Sequence, residues 1–306
     1  MAEERTGGRT RRWLTVALVV VALLALGGPL VLHVEQKRHN LLPFEILKQF
    51  PPSQPIIGGE VFATTLIAIM HHELNGTTGW RPNDFVLWGP DLWADNNANR
   101  QLGIIQALRE SVRVFKDHLT KVSSNEFDPN LIEADTDFRN DARRLWLPSA
   151  ESKFREGVRH LQAYVDGLKT TPPRSKPINQ RNIELIRLFQ AWGDLLGDAH
   201  ANLYREPESP WRTDDDFYHA QGVVHVIRYL VPAVGREYQH EFDTKPVMRT
   251  LFDEVTAALA QAAVLKPLVV FDGQPDGLFA NHRRNLDAFI SEARQKMYSI
   301  REELEK

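Results

Sequence analysis

Two short patterns in this chain have the spacing of a metal-binding helix face. Asp216 with His219 and Glu237 with His240 each place a carboxylate three residues before an imidazole. On a helix, residues i and i+3 share a face, and di-metal helical bundles join such pairs to two further carboxylates on other helices. Glu73 and Asp194 are acids that could fill that part. With 40 acidic residues and 11 histidines in the chain, such pairs also arise by chance and then serve as local ion pairs.

Other patterns stop short of a chemistry. Asp95, Asn97 and Asn99 alternate like the opening of a calcium loop, where oxygens at every second position wrap one ion. The sixth position needs glycine and holds Arg100, and the twelfth needs glutamate and holds Gln106. An Asn-rich turn capping the next helix is therefore the expectation. His71-His72-Glu73 lacks the histidine spacing of a zinc-protease helix and suits a helix end, where imidazoles meet free carbonyls. No serine stands in a Gly-x-Ser-x-Gly elbow, no glycine loop cradles phosphate, and no cysteine is present. No catalytic residue and no cofactor follow from these patterns. The stretch from Asn75 to Asn99 is less ordinary, because it holds Trp80, Trp88 and Trp93 with Phe85, Asp84, Asp91, Asp95 and Asn96 among them. Long ordered loops are often functional, and clustered tryptophans make glycan, peptide or membrane-surface contacts. Trp80, Trp88, Trp93, Asp84 and Asp95 are thus candidate ligand-binding residues, unless the rings pin the loop to the helices beneath it.

The elements that would position these residues begin with a membrane segment. From Trp13 to Val34 the chain carries no charge. About 22 residues rising roughly 1.5 Å each give about 33 Å, enough for a single transmembrane helix. Gly27, Gly28 and Pro29 interrupt the run, which spanning helices tolerate. A cleaved signal at Ala25-Leu26-Gly27 is disfavoured by the apolar residues that continue beyond it, and the Arg11-Arg12 pair serves as a topology signal more simply than as an export signal. Arg5, Arg9, Arg11 and Arg12 precede the helix, so the basic tail 1–12 is expected in the cytoplasm and the body outside, in the periplasm if the membrane is a bacterial inner one. With 37 basic against 40 acidic residues the chain carries a formal charge of −3, which argues against a nucleic-acid partner.

Pro43, Pro51, Pro52 and Pro55 mark residues 35–58 as a spacer, and the globular part is expected to begin near Gly59. Helical periodicity then dominates. It marks helices over 60–75, about 98–122, 149–168 with Ser149 as N-cap, about 179–204, one capped by Thr213 that bends at Pro232, about 245–265, and 277 to the end. Leu286, Ile290, Ala293, Met297, Ile300 and Leu304 give the last helix a seven-residue seam. The expected fold class is all-α, with a transmembrane helix at 13–34 and a bundle-like body. Pro172, Pro173 and Pro177 make 171–178 a linker between lobes 59–170 and 179–306.

Several stretches together resemble a bacterial family known as domain-of-unknown-function family 2333. They are Ala63-Thr64-Thr65-Leu66-Ile67 with the loop from Pro82-Asn83-Asp84 to Leu102-Gly103; Leu147-Pro148-Ser149-Ala150-Glu151 with Phe154-Arg155-Glu156-Gly157-Val158; Asp216-Phe217-Tyr218-His219-Ala220-Gln221-Gly222; and Leu278-Phe279-Ala280-Asn281-His282. The likeness covers most of the chain from about residue 40. It departs at Asn99-Arg100-Gln101, which stands where a more aromatic Asn-Trp-Glu stretch is expected. The resemblance implies a bacterial, membrane-anchored, helical protein and brings no catalytic residues with it. The expected function is a non-enzymatic binding or scaffolding domain that meets another envelope protein or a cell-wall component. The alternative is a metal-dependent hydrolase or oxidase built on the His/carboxylate pairs.

Overall fold

The computed structural model describes residues 3–40, 44–76, 78–84, 95–120, 127–179, 181–207, 212–267, 269–274 and 276–306; within the first helix it describes the side chains of 11–25 and some of those beyond. The described residues are all-α: α1 Glu3–Asn40, α2 Glu60–Asn75, α3 Asp95–Val114, α4 Pro129–Phe138, α5 Ala150–Leu168, α6 Asn182–Tyr204, α7 Asp215–Glu237, α8 Gln239–Asp243, α9 Pro246–Val264 and α10 His282–Glu305. A single 3-10 turn, Ile46–Gln49, precedes α2, and a π turn, Phe115–Leu119, ends α3. Strand pairing among the described residues is limited to one bridge, Asp272 to Asn281.

Ser149 caps α5 as expected, its side chain accepting from the Ser152 amide. The N-cap position of α7 is Asp214, one residue after the expected Thr213, and Asp215 and Asp216 stand in its first turn, where acids meet the positive end of the helix dipole. Pro232 sits inside α7 without ending it. The short helix α4 has no counterpart in the periodicity, although Asp128 caps it and Pro129 occupies its first turn. The body also begins before Gly59. Ile46 and Phe50 are buried against Val61 and Ala233, so part of the Pro-rich stretch packs on α2 and α7.

Helices from both sides of the 171–178 stretch share one hydrophobic core, running from Phe62 and Phe115 through Trp192 and Phe217 to Met297. The whole seam of α10, Leu286 through Leu304, lies in it. A close crossing of α3 and α7 sets the centre. A Cβ at Gly103 would lie 2.0 Å from the His219 carbonyl oxygen, and one at Gly222 would lie 2.0 Å from that of Arg100. Backbone meets backbone there, so neither helix can yield by a rotamer change. Gly222→Ala should force the pair apart and destabilise the protein by about 1–3 kcal/mol, the usual penalty of overpacking. Chemical denaturation of the purified variant measures this, and a loss below about 0.5 kcal/mol would show that the crossing is loose.

Contacts fix the direction of each helix. Gln101 donates to Glu73, and Arg155 donates to the Leu74 carbonyl, which places the ends of α2, α3 and α5 together. Asn99 donates to Asp215, and Arg283 to Asp216, adding the first turns of α7 and α10. Arg283 also donates to the Leu203 and Asn202 carbonyls that close α6. The C-terminus of α9 joins them, where Gln221 donates to the carbonyls of Ala262 and Leu265. One end of the body is thus made by the C-termini of α2, α6 and α9 and the N-termini of α3, α5, α7 and α10.

At that end α1 meets the body. Asn40, its last residue, donates to Asn97 in the first turn of α3, at 2.8 Å. Between residues 11 and 25 every side chain of α1 is exposed. Among the described residues no helix is long and apolar enough to cross a membrane. The uncharged run 13–34 is only partly covered by described side chains, which are continuous as far as Ala25.

Candidate functional site

Where α1 joins the body, histidines and a buried ion pair from four segments converge. Glu73, near the end of α2, is wholly buried, and an Arg100 amino group donates to both of its carboxylate oxygens at 3.0 and 3.1 Å. Gln101 donates to the same carboxylate and to the Gly79 carbonyl, while its own oxygen accepts from the Arg81 amide. A buried carboxylate needs this many donors, because an uncompensated charge inside a protein would be untenable.

The second amino group of Arg100 lies 3.3 Å from Nδ1 of His225 on α7. Since a guanidinium only donates, Nδ1 accepts and Nε2 carries the proton of the neutral ring. Burial holds the His225 ring well below the usual imidazole range, and the Arg100, His72 and Arg228 charges act in the same direction. His72 is lowered too, first by burial, with Glu73 opposing and His39 and Arg100 assisting. Both rings are therefore neutral at pH 7. Among the described residues, no hydrogen-bond partner reaches their buried Nε2 atoms.

The last turn of α1 closes over this group. His39 stacks on His72 with ring centroids 4.0 Å apart, and its Nε2 lies 2.7 Å from the His72 carbonyl. A Cβ at Gly76 would lie 2.6 Å from that Nε2, so the close approach depends on glycine. Phe44 then stacks on Tyr229 at 3.9 Å and presents its ring to the edge of His225. The arrangement is a joint: polar groups at its centre fix the register of α2, α3 and α7, and stacked rings seat the end of α1 on them. Its carboxylate is fully engaged by donors and is not available as a general base.

The expected site residues lie elsewhere. Trp80 is buried, edge-on to Phe154, and donates from Nε1 to the Ala142 carbonyl at 2.8 Å, so it pins its loop to the core. Asp84 pairs with Arg81, and burial raises its carboxyl pKa despite that partner. Trp88 and Trp93 lie outside the described residues. Asp95 begins α3 beside Asp215, the first residue of α7, and Asp214 just before it, and Asn99 donates to both Asp95 and Asp215. Two parallel helix N-termini account for the acids gathered there. Asp95, Asn97 and Asn99 form helix, not a calcium loop.

The four candidates Asp216, His219, Glu237 and His240 are not brought together; among the described residues the one group of three acids or histidines close enough for a shared ion is Asp95, Asp214 and Asp215. Asp216 is held by the buried Arg283 guanidinium at 3.1 Å. His219, mostly buried, has its pKa lowered by burial. Glu237 points away from the exposed His240 and into the start of α2, where it accepts from the amides of Gly59, Val61 and Phe62 at 2.9, 2.8 and 3.0 Å. Helix α7 ends at Glu237, and Tyr238 leaves helical geometry with φ −106° and ψ 22°, so the i, i+3 face is broken.

A serine, histidine and aspartate do meet at α6 and α10, a cluster with no signal in sequence spacing. Asp287 lies 2.7 Å from His200 Nδ1, and Ser291 lies 3.4 Å from the same nitrogen. A nucleophilic relay needs the acid on one ring nitrogen and the hydroxyl on the other. Here both face Nδ1, and no relay can form in this arrangement.

An all-α body carrying an apolar N-terminal helix on a buried polar joint is the class that fold and site define. The chain belongs to the family described as "uncharacterized protein conserved in bacteria (DUF2333)", whose model matches residues 9–199 and 194–306. The match takes in the apolar segment of α1 as well as the body. No curated protein and no solved structure matches the chain.

Proposed function

We propose that this protein is a single-pass, membrane-anchored envelope protein whose body faces the periplasm and binds or scaffolds another envelope component without catalysing a reaction. The observation that carries the anchor is the exposure of Trp13, Leu14, Val16, Leu18, Val19, Val20, Val21, Leu23 and Leu24 around α1. Water does not tolerate so large a contiguous apolar surface, and a bilayer removes its cost. The arginines before Trp13 favour a cytoplasmic N-terminus. The binding role draws support from the candidate metal residues, each of which is either engaged in a structural pair or set apart from the others.

Removing residues 1–34 should move the protein from the membrane fraction to the soluble fraction. A reporter fused after Lys306 of the full chain should be active only outside the cytoplasm. Release of the full chain by alkaline carbonate would overturn the anchor, and cytoplasmic reporter activity would overturn the orientation.

A further inference from the structure

Two loops at the end of the body where α1 attaches present large apolar side chains to solvent. The first joins α4 to α5 and reads Arg143-Arg144-Leu145-Trp146-Leu147-Pro148, with Trp146 78% and Leu147 91% exposed. It is not a loose end. Trp80 donates to the Ala142 carbonyl, and Asn83 donates to the Arg144 carbonyl and to Glu151. The second joins α9 to α10. Asp272 and Asn281 bridge its two arms, and Gly273 donates to the Ala280 carbonyl. Leu278 at 101% and Phe279 at 63% exposure project from its tip, with Phe279 stacked on Phe271.

Both loops rest on the helix termini that surround the joint. The first follows from Trp80 and Asn83, just beyond the end of α2 where His39 seats. The second leads into Arg283, which ties α10 to Asp216 in the first turn of α7, and Asp215 beside it receives Asn99 of α3. At the opposite end, exposed apolar side chains among the described residues, such as Ile57, Ile183 and Val247, are each less exposed than Trp146, Leu147, Leu278 or Phe279.

We infer that these two loops are a second membrane contact: Trp146 with Leu147, and Leu278 with Phe279, enter the interfacial layer of the bilayer that α1 spans. The inference rests on the anchor proposed above. Tryptophan, leucine and phenylalanine favour the layer between headgroups and acyl chains, and arginines such as Arg143 and Arg144 can reach back to phosphates. Asp272 and Asp276 flank the second tip. Insertion there is accordingly apolar and does not require anionic lipid. Three points of attachment, α1 and two loops, hold the body flush on the membrane, whereas a single tether would let it swing.

The absence of cysteine permits a direct test on the full chain. Single substitutions Leu147→Cys, Leu278→Cys, Val19→Cys and Val247→Cys are labelled with an environment-sensitive fluorophore and reconstituted in phosphatidylcholine vesicles containing nitroxide lipids. Labels at 147 and 278 should be quenched best by a shallow nitroxide, as expected for about 5–10 Å of penetration. The label at 19 should be quenched best by a deep one, and that at 247 by neither. Labels at 147 and 278 as unquenched as the one at 247, with 19 quenched, overturn the inference and leave the anchor standing. An unquenched label at 19 overturns the anchor itself. Quenching at only one of 147 and 278 overturns the two-loop contact.

Discussion

Arg100→Ala should destabilise the protein by about 3–5 kcal/mol, the usual effect of removing one partner from a buried ion pair. The side chain of Glu73 is fully buried and that of Arg100 nearly so, and the carboxylate would keep Gln101 as its remaining side-chain donor. His225 would lose the donor at its Nδ1 in the same step. The variant with both charges removed, Glu73→Leu with Arg100→Met, should recover the larger part of the loss, since apolar replacements of similar volume dispense with the desolvation of two ions. Denaturant unfolding of the full chain in detergent compares the three proteins. A loss of less than about 1 kcal/mol for Arg100→Ala, the scale of a solvent-exposed pair, would show that water reaches the joint. The single variant should also loosen α1, because His72, on which His39 stacks, is the residue before Glu73.

The residues of this joint illustrate what sequence periodicity reveals and what it hides. Repeats of three and four residues located α5, α6 and α10, and the α10 seam is buried through Leu304. Such patterns survive because burial of one helix face depends on nearby residues. Helix α4 escaped because its 10 residues span too few turns to establish a period, although Asp128 and Pro129 carried its start signal. The joint itself depends on pairs distant in the chain. His39 meets His72 across 33 residues and Arg100 meets His225 across 125, and no local spacing encodes either. Arg100 looked like the wrong residue at the sixth position of a calcium loop, yet it is the cation that neutralises Glu73. The pair Glu237 and His240 had the right spacing, but spacing implies a shared face only while the helix continues, and α7 ends between them. The exposed loops at 145–147 and 278–279 had no periodic signal at all, since their distinguishing property is the lack of a covering element.

Replacing Glu237 should change how stability depends on pH as well as its size. Helix α2 follows Gly59, which sits at its N-cap position in the left-handed region, φ 97°, where a Cβ would lie 2.4 Å from the Tyr164 hydroxyl. Glycine cannot cap the helix with a side chain, so Glu237 from α7 caps it from outside, accepting from three amides. Burial pushes the Glu237 carboxyl from 4.5 up to about 7; the three amides pull it down and the neighbouring Glu60 raises it further, but loss of water outweighs the amides. A raised acid pKa means that the folded state holds its proton to higher pH than the unfolded chain does. The stabilisation is complete below about pH 4.5 and is lost as pH rises toward 7, by about 3 kcal/mol at 1.36 kcal/mol per unit. Glu237→Gln removes this titration while keeping one acceptor oxygen for the Val61 and Phe62 amides. The stability of the natural chain relative to that variant should therefore fall by about 3 kcal/mol between pH 4.5 and 7.5, other carboxylates cancelling in the difference. A difference that stays constant over this range would mean that the amides hold Glu237 ionised at its ordinary pKa. Glu237→Ala should be worse at every pH, by about 2–4 kcal/mol, because three amides at the start of α2 would be buried without an acceptor.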